Sequence, residues 1–152
     1  MSTKQITSVN ESLDSLSRKG TCIEFFSAYQ DLDLERMLSL CDSQGIVEFV
    51  PLGEGYRGKI ADLGKQLWGS LMECFPNLDN TVMHQSYNET DDTVTCTVNI
   101  FGTQKNDFAG IPTKGNDFES EHIFIFRFNA SGQIAHISIK WDHDAFVQHL
   151  SA

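Results

Sequence analysis

A chain of 152 residues, 40% hydrophobic and with eleven phenylalanines, is the size of one domain with an aromatic-rich interior. Its formal net charge of −10, with Lys and Arg scattered singly, argues against DNA, RNA or anionic membrane as partners, because phosphates attract basic faces. No run approaches the ~20 apolar residues of a membrane span. The first residues, Met1 to Ser8, show no apolar signal-peptide core, so a cytoplasmic protein is expected. Cys22, Cys41, Cys74 and Cys96 lie far apart among apolar neighbours and are expected to be free buried thiols.

Residues 1–9 are expected to be flexible and residues 10–152 to form one domain. A first helix starts near Asn10, capped by Asn10 or by Ser8 with Glu11 as a capping box. Leu13, Leu16, Gly20, Ile23 and Phe26 recur at helical spacing and mark its apolar face. Asp33 caps a short second helix with Leu34, Met37, Leu38 and Cys41 on one side. Gly45–Val50 reads as a strand, and 51–58 as a glycine-rich loop. A third helix spans about 59–75 with Ile60, Leu63, Leu67 and Leu71 on one face; Pro76 and Asn77 end it. Four strands follow, near 80–87, 93–103, 118–128 and 134–141, with turns at 88–92 and 129–132. A last helix covers 144–150.

Helices first and consecutive strands afterwards indicate an α+β domain, with helices packed on one face of a curved, mainly antiparallel sheet. Within 122–128, Phe124, Phe126 and Phe128 share one face while Ile123 and Ile125 occupy the other. A sheet with one wet side alternates more cleanly. A second subunit covering the other face, hence a homodimer, is the expectation.

The segment Gly102–Gly115 (GTQKNDFAGIPTKG) is too long for a tight hairpin. A solvated linker has no need of Phe108 and Ile111; a loop folded over a pocket does. Gly102, Thr103, Phe108, Gly110, Ile111, Pro112 and Gly115 keep the register of the GTHTGxFxGIPPTG loop of the SnoaL-like polyketide cyclase family, in the NTF2-like superfamily. Tyr56-Arg57-Gly58 is similar to that family's YxG segment, and Phe75-Pro76-Asn77-Leu78 to its FPDL. Phe126-Arg127 followed by Gly132-Gln133-Ile134 is similar to its FR…DGKI hairpin. Two departures fall where chemistry would be. Gln104 replaces the histidine of GTHTG, and Ser138 takes the tryptophan position of the last strand's EHWxxxD, whose aspartate is kept as Asp142.

The resemblance implies an NTF2-like cone that binds an apolar or polycyclic carbonyl compound and performs cofactor-free cyclisation or isomerisation. Aldol-type closure needs a base at an α-carbon, and a carboxylate raised in pKa by an apolar pocket can supply it. Asp142, at the family's aspartate position, is the candidate base; the alternative is a solvent-facing aspartate or a cap for the last helix. His122 is a candidate proton donor or enolate partner, or else a hydrogen-bonded sheet histidine. Lys140 shares Asp142's face by alternation and can lower its pKa. His84, Tyr56, Trp68, Phe49, Phe101, Phe108 and Phe118 are candidate substrate-binding walls, with an ordinary core role as the alternative. Asp142-His143-Asp144 has no HxH or HxxxD partner, so no metal is expected, and no cofactor. The rival functions are a non-catalytic ligand-binding or accessory protein and a limonene-type epoxide hydrolase. The latter would need an Asp–Arg–Asp set around Arg57 or Arg127.

Overall fold

The computed structural model describes residues 11–152. The expected flexible segment 1–9 and the caps Ser8 and Asn10 lie outside the described residues. Helix α1 (Leu13–Gln30) begins instead at Ser12, whose hydroxyl accepts from the Ser15 amide at 3.0 Å. Its buried face is Cys22, Phe25, Phe26 and Tyr29. Of the expected stripe only Phe26 is buried; Leu13, Leu16 and Ile23 are 83%, 53% and 45% exposed, and Gly20 meets no close neighbour. The two stripes share helical spacing. The helix buries the one with more aromatic area, because the sheet beneath offers rings to pack against.

Helix α2 (Leu34–Ser39) is capped by Asp33 as expected, its carboxylate accepting from Arg36 N at 3.1 Å. Strand β1 (Cys41–Phe49) follows, then two 3-10 turns, and a short strand β2 (Arg57–Lys59) that the sequence reading merged into the loop and helix. The expected third helix is divided. A π-helical turn (Ile60–Gly64) leads into α3 (Lys65–Cys74). The Trp68 ring lies so close over Gly64 that a β-carbon there would meet it at 2.8 Å, so this widened turn requires glycine. Strands β3 (Asp79–Asn88), β4 (Thr93–Thr103), β5 (Asp117–Phe128) and β6 (Ile134–Lys140) and helix α4 (His143–Ser151) complete the chain.

The strands form one six-stranded sheet in the order β2-β1-β6-β5-β4-β3. All neighbours are antiparallel except β1 and β6, which run parallel. Along β5, Phe118, Ser120, His122, Phe124, Phe126 and Phe128 point to the helix-covered inner face; Glu119, Glu121, Ile123, Ile125 and Arg127 point outward. Phe26 meets Phe124 edge-on at 4.9 Å, and Phe25 meets Phe126 at 5.4 Å and Trp68 at 5.5 Å. Such edge-to-face pairs add ~0.5–1.5 kcal/mol each beyond the area they bury. All four cysteines are free and buried.

A polar clasp ties α1 to the far hairpin. Arg18 donates from Nε and Nη2 to both oxygens of Asp92, at 3.2 and 3.3 Å, Tyr87 Oη donates to Asp92 at 2.7 Å, and the Arg18 guanidinium lies 5.2 Å over Phe128. These bonds hold the Asp92 carboxyl below its ordinary pKa, with Arg18 the main cause.

Two outcomes follow. Phe126→Ala should cost ~3–5 kcal/mol in urea unfolding. Asp92→Asn should cost under ~1 kcal/mol because the pair is partly solvated. The Asp92 contribution is present above the unfolded carboxylate pKa of ~3.9 and is lost as pH falls below it. The pH–stability curves of wild type and Asp92→Asn should therefore converge in acid.

Candidate functional site

The inner face changes character along its length. Near its middle it is filled: Phe49 and Trp68 lie against each other at 5.9 Å, buried among Phe25 and Phe126. These two expected pocket walls are core. At the end where β4, β5 and α4 meet, a line of rings reaches towards solvent. Phe75 packs on Phe118 at 5.1 Å and on Phe108 at 5.6 Å, and Phe146 packs on Phe118 at 4.9 Å. Phe146 stacks on His143, His143 meets Trp141 edge-on, and Trp141 stacks on His122 at 5.2 Å. We call this ring-lined end the aromatic mouth.

The loop over the mouth is tied down. Phe108 and Ile111 exchange backbone hydrogen bonds of 3.1 and 2.8 Å across Ala109 and Gly110, both at positive φ, which is a tight hairpin turn. Ile111 is buried and Phe108 half-buried. Gln104, 1% exposed, organises the segment: its Nε2 donates to the carbonyls of Ile111 at 2.8 Å and Asn106 at 3.1 Å. Its Oε1 has no partner. Lys105 N donates to Cys74 O at 2.8 Å, and Asn116 Nδ2 donates to Leu150 O at 3.0 Å, joining the loop to α3 and α4. The loop is thus a plug whose two apolar residues are part of the packing.

His122 is the one candidate histidine on the inner face. Its Nδ1 lies 3.2 Å from the Ser120 carbonyl. A carbonyl only accepts, so Nδ1 carries the proton and Nε2 keeps a lone pair. Burial pushes the His122 pKa down to about 4, so the ring is neutral near pH 7 and acts as an acceptor at Nε2. That reverses the proton-donor role expected of it.

Of the remaining candidates, Asp142 and Lys140 share a groove with the mouth's Trp141 and Phe146, and His84, Phe101 and Tyr56 lie elsewhere. Asp142 is exposed and caps α4, its carboxylate accepting from Ala145 N at 3.0 Å. Lys140 is exposed on the outer face, opposite in sense to His122, and among the described residues no ion pair joins it to Asp142. Both border an open outer groove of roughly 450 Å³, with Glu119, Glu121, Trp141 and Phe146 among its other walls. His84 is exposed on edge strand β3, Phe101 is half-buried on the outer face, and Tyr56 is 41% exposed in a 3-10 turn. These three are neither among the mouth's rings nor among the walls of the outer groove. His136 is half-buried with Nε2 3.1 Å from Glu48 Oε1; Arg57 donates to the same oxygen at 2.7 Å. With Arg57 so engaged and Arg127 on the outer face, neither builds an Asp–Arg–Asp set.

Of the ten candidates, then, the mouth gathers His122, Phe108 and Phe118. Sequence reasoning did not assign Phe75, Trp141 or Phe146 to it. Trp141 was legible, since it alternates with Lys140 and so faces inward with His122. Phe75 and Phe146 come from two different helices and share no periodicity with the strands.

The SnoaL-like domain model matches residues 23–137. No curated protein matches the sequence. Among solved structures, a protein from Jannaschia sp. CCS1 named as a SnoaL-like polyketide cyclase superposes with a TM-score of 0.81 at 18% identity, covering 94% of this chain and 97% of its own. IdmH from Streptomyces antibioticus, named as a polyketide cyclase, gives 0.70 at 21% identity over 89% and 99%. AclR from Streptomyces galilaeus, named as a hydroxylase, gives 0.75 at 20% identity over 88% and 94%. At these identities the likeness is one of fold, and one fold carries differently named activities. The family match covers most of the chain and agrees with the helix and strand order observed: this chain belongs to the SnoaL-like domain family.

Proposed function

We propose that this chain binds an apolar or polycyclic carbonyl compound at its aromatic mouth and serves as a ligand-binding or accessory member of its family, without Asp142 as a general base. The observation that carries this reading is the position of Asp142. A base for α-proton removal works by desolvation and by reach to the substrate. Asp142 is exposed and already engaged at the start of α4. The mouth offers what binding needs: stacked rings and a few polar atoms without full partners, Gln104 Oε1 and His122 Nε2. A bound compound would insert among Phe75, Phe108, Phe118 and Phe146, moving the plug or α4 aside.

A second reading, a cofactor-free cyclase or isomerase of the intramolecular aldol type, is favoured by His122. Its ring stacks on Trp141, and its Nε2 lone pair can accept a hydrogen bond from an enol hydroxyl. In that reading Asp142 is the base the resemblance implies, swung in from its cap. Both readings include a homodimer, supported by Ile123 and Ile125 on the uncovered outer face, and a reducing cytoplasm, supported by four free thiols.

Asp142→Asn separates the two. Asparagine also caps helices, so the fold should persist. Binding of a polycyclic ketone, read by tryptophan fluorescence, should be unchanged. Any turnover of that ketone should also be unchanged; a fall of ~10²–10⁴ would replace the accessory reading with the enzymatic one. Asp142→Ala should lower stability by ~0.5–2 kcal/mol through loss of the cap.

His122 gives a pH signature. Its folded pKa of about 4 lies below the unfolded value of ~6.5. The unfolded state therefore binds the proton more readily, and stability is full above pH ~6.5 and falls as pH drops towards 4. In thermal melts between those values, His122→Gln should flatten the decline; an unchanged slope would show the ring to be solvated.

A further inference from the structure

Resting on the ligand-binding reading above, we infer that the tip between β1 and β2, residues 53–56, is the moving wall of the aromatic mouth. It swings towards Trp141 when a ligand binds and sets the Tyr56 ring against the ligand's free side. The ring line of the mouth ends at Trp141 and His122. Beyond them in the sheet stands β1, whose last residue, Phe49, is level with Ile139. Strand β2 returns with Arg57 opposite Glu48, which sets Tyr56 level with Phe49. Arg57 donates to Glu48 on the outer face, so alternation turns Tyr56 to the inner side, with Phe49. Two strand spacings and two residue rises then separate Tyr56 from Trp141, ~12 Å between backbones. Two aromatic side chains reaching towards each other span such a gap and bring their rings into the contact range of ~4.5–7 Å.

Two loops stand at this end of the sheet, and they are held differently. The loop after β4 is bonded to α3 and α4. The tip has two local backbone bonds, from Gly53 N to Val50 O at 3.2 Å and from Tyr56 N to Gly53 O at 3.1 Å; among the described residues no backbone bond joins it to another element. A β-carbon on Gly53 or on Gly55 would meet nothing within 4 Å. Gly53 has φ 92° and ψ −176°, a region that glycine alone enters freely. Both ends of the tip are fixed, Leu52 by packing on the core and Arg57 by its bond to Glu48. A short arch with fixed ends, glycine at its first and third positions and open space around both has the build of a hinged lid. Its last residue is an aromatic that stands 41% exposed on the side of the mouth. Closure would bury that ring against a flat ligand, which is the gain that moves the arch.

Hydrogen exchange on the full chain tests this, with and without 1,8-dihydroxyanthraquinone as probe. Amides 53–56 should exchange fast in the free protein and slow about tenfold or more when the probe saturates, while those of Lys105, Phe108 and Ile111 stay protected in both states. In fluorescence titrations Tyr56→Ala should raise the probe Kd about fivefold or more and speed its release. Tyr56→Phe, which keeps the ring, should stay within about twofold of wild type. Tip amides as slow as those of β5 in the free protein, or unchanged by a probe that does bind, overturn the moving wall and leave ligand binding at the mouth in place. A Tyr56→Ala variant with wild-type Kd does the same. If the probe does not bind the wild-type chain, the mouth reading itself falls, and this inference with it.

Discussion

The structure depends on one packing decision, the pressing of aromatic rings on α1 into aromatic rings on β5. Phe25 and Phe26 cannot both reach Phe124 and Phe126 unless α1 takes one particular rotation. That rotation exposes Leu13 and Leu16, brings Arg18 to Asp92, and gives Trp68 a ring to lean on. It also fills the middle of the inner face. Open grooves lie outside that filled middle, one beside α4 and one between α1 and β3.

At the end of the sheet beside α4, Phe75, Phe118 and Phe146 stay buried while Phe108, Trp141 and His143 are half-exposed, and two polar side chains there have one acceptor each without a protein partner. His122 and Gln104 are the two cases. Each keeps one acceptor free because its donor is spent on a backbone carbonyl.

Much of the fold was legible in the sequence, for reasons that differ by element. Strands β4 and β5 were found nearly to the residue because their alternation is regular and their ends carry turn residues. The Asp33 cap was found because a carboxylate before an apolar helix face has one obvious use. The stripe on α1 was misread because Leu16–Ile23 and Cys22–Phe26 are both helical patterns, and only the partner surface chooses between them. Strand β2 was missed because three residues carry no period. The site was less legible. Asp142 holds the right place in the motif, but its side chain answers to the nearest unpaired amides, those opening α4. Its role is set by three residues downstream that the motif does not include.

The parallel pairing of β1 with β6 has a consequence for how the chain reaches this state. Phe49 lies beside Ile139, so a strand made early waits for a partner made much later in the chain. Until then β1 has only the short β2 on one edge, and its apolar residues Ile46, Val47 and Phe49 are open along the other. Closing so long a loop is entropically slow, and an open apolar edge invites pairing with other chains. The hairpins β3–β4–β5 can form locally meanwhile. The late arrival of β6 then joins two halves of the sheet in one step, and the window before that step is when nascent chains of this protein are most exposed to aggregation and most in need of chaperones.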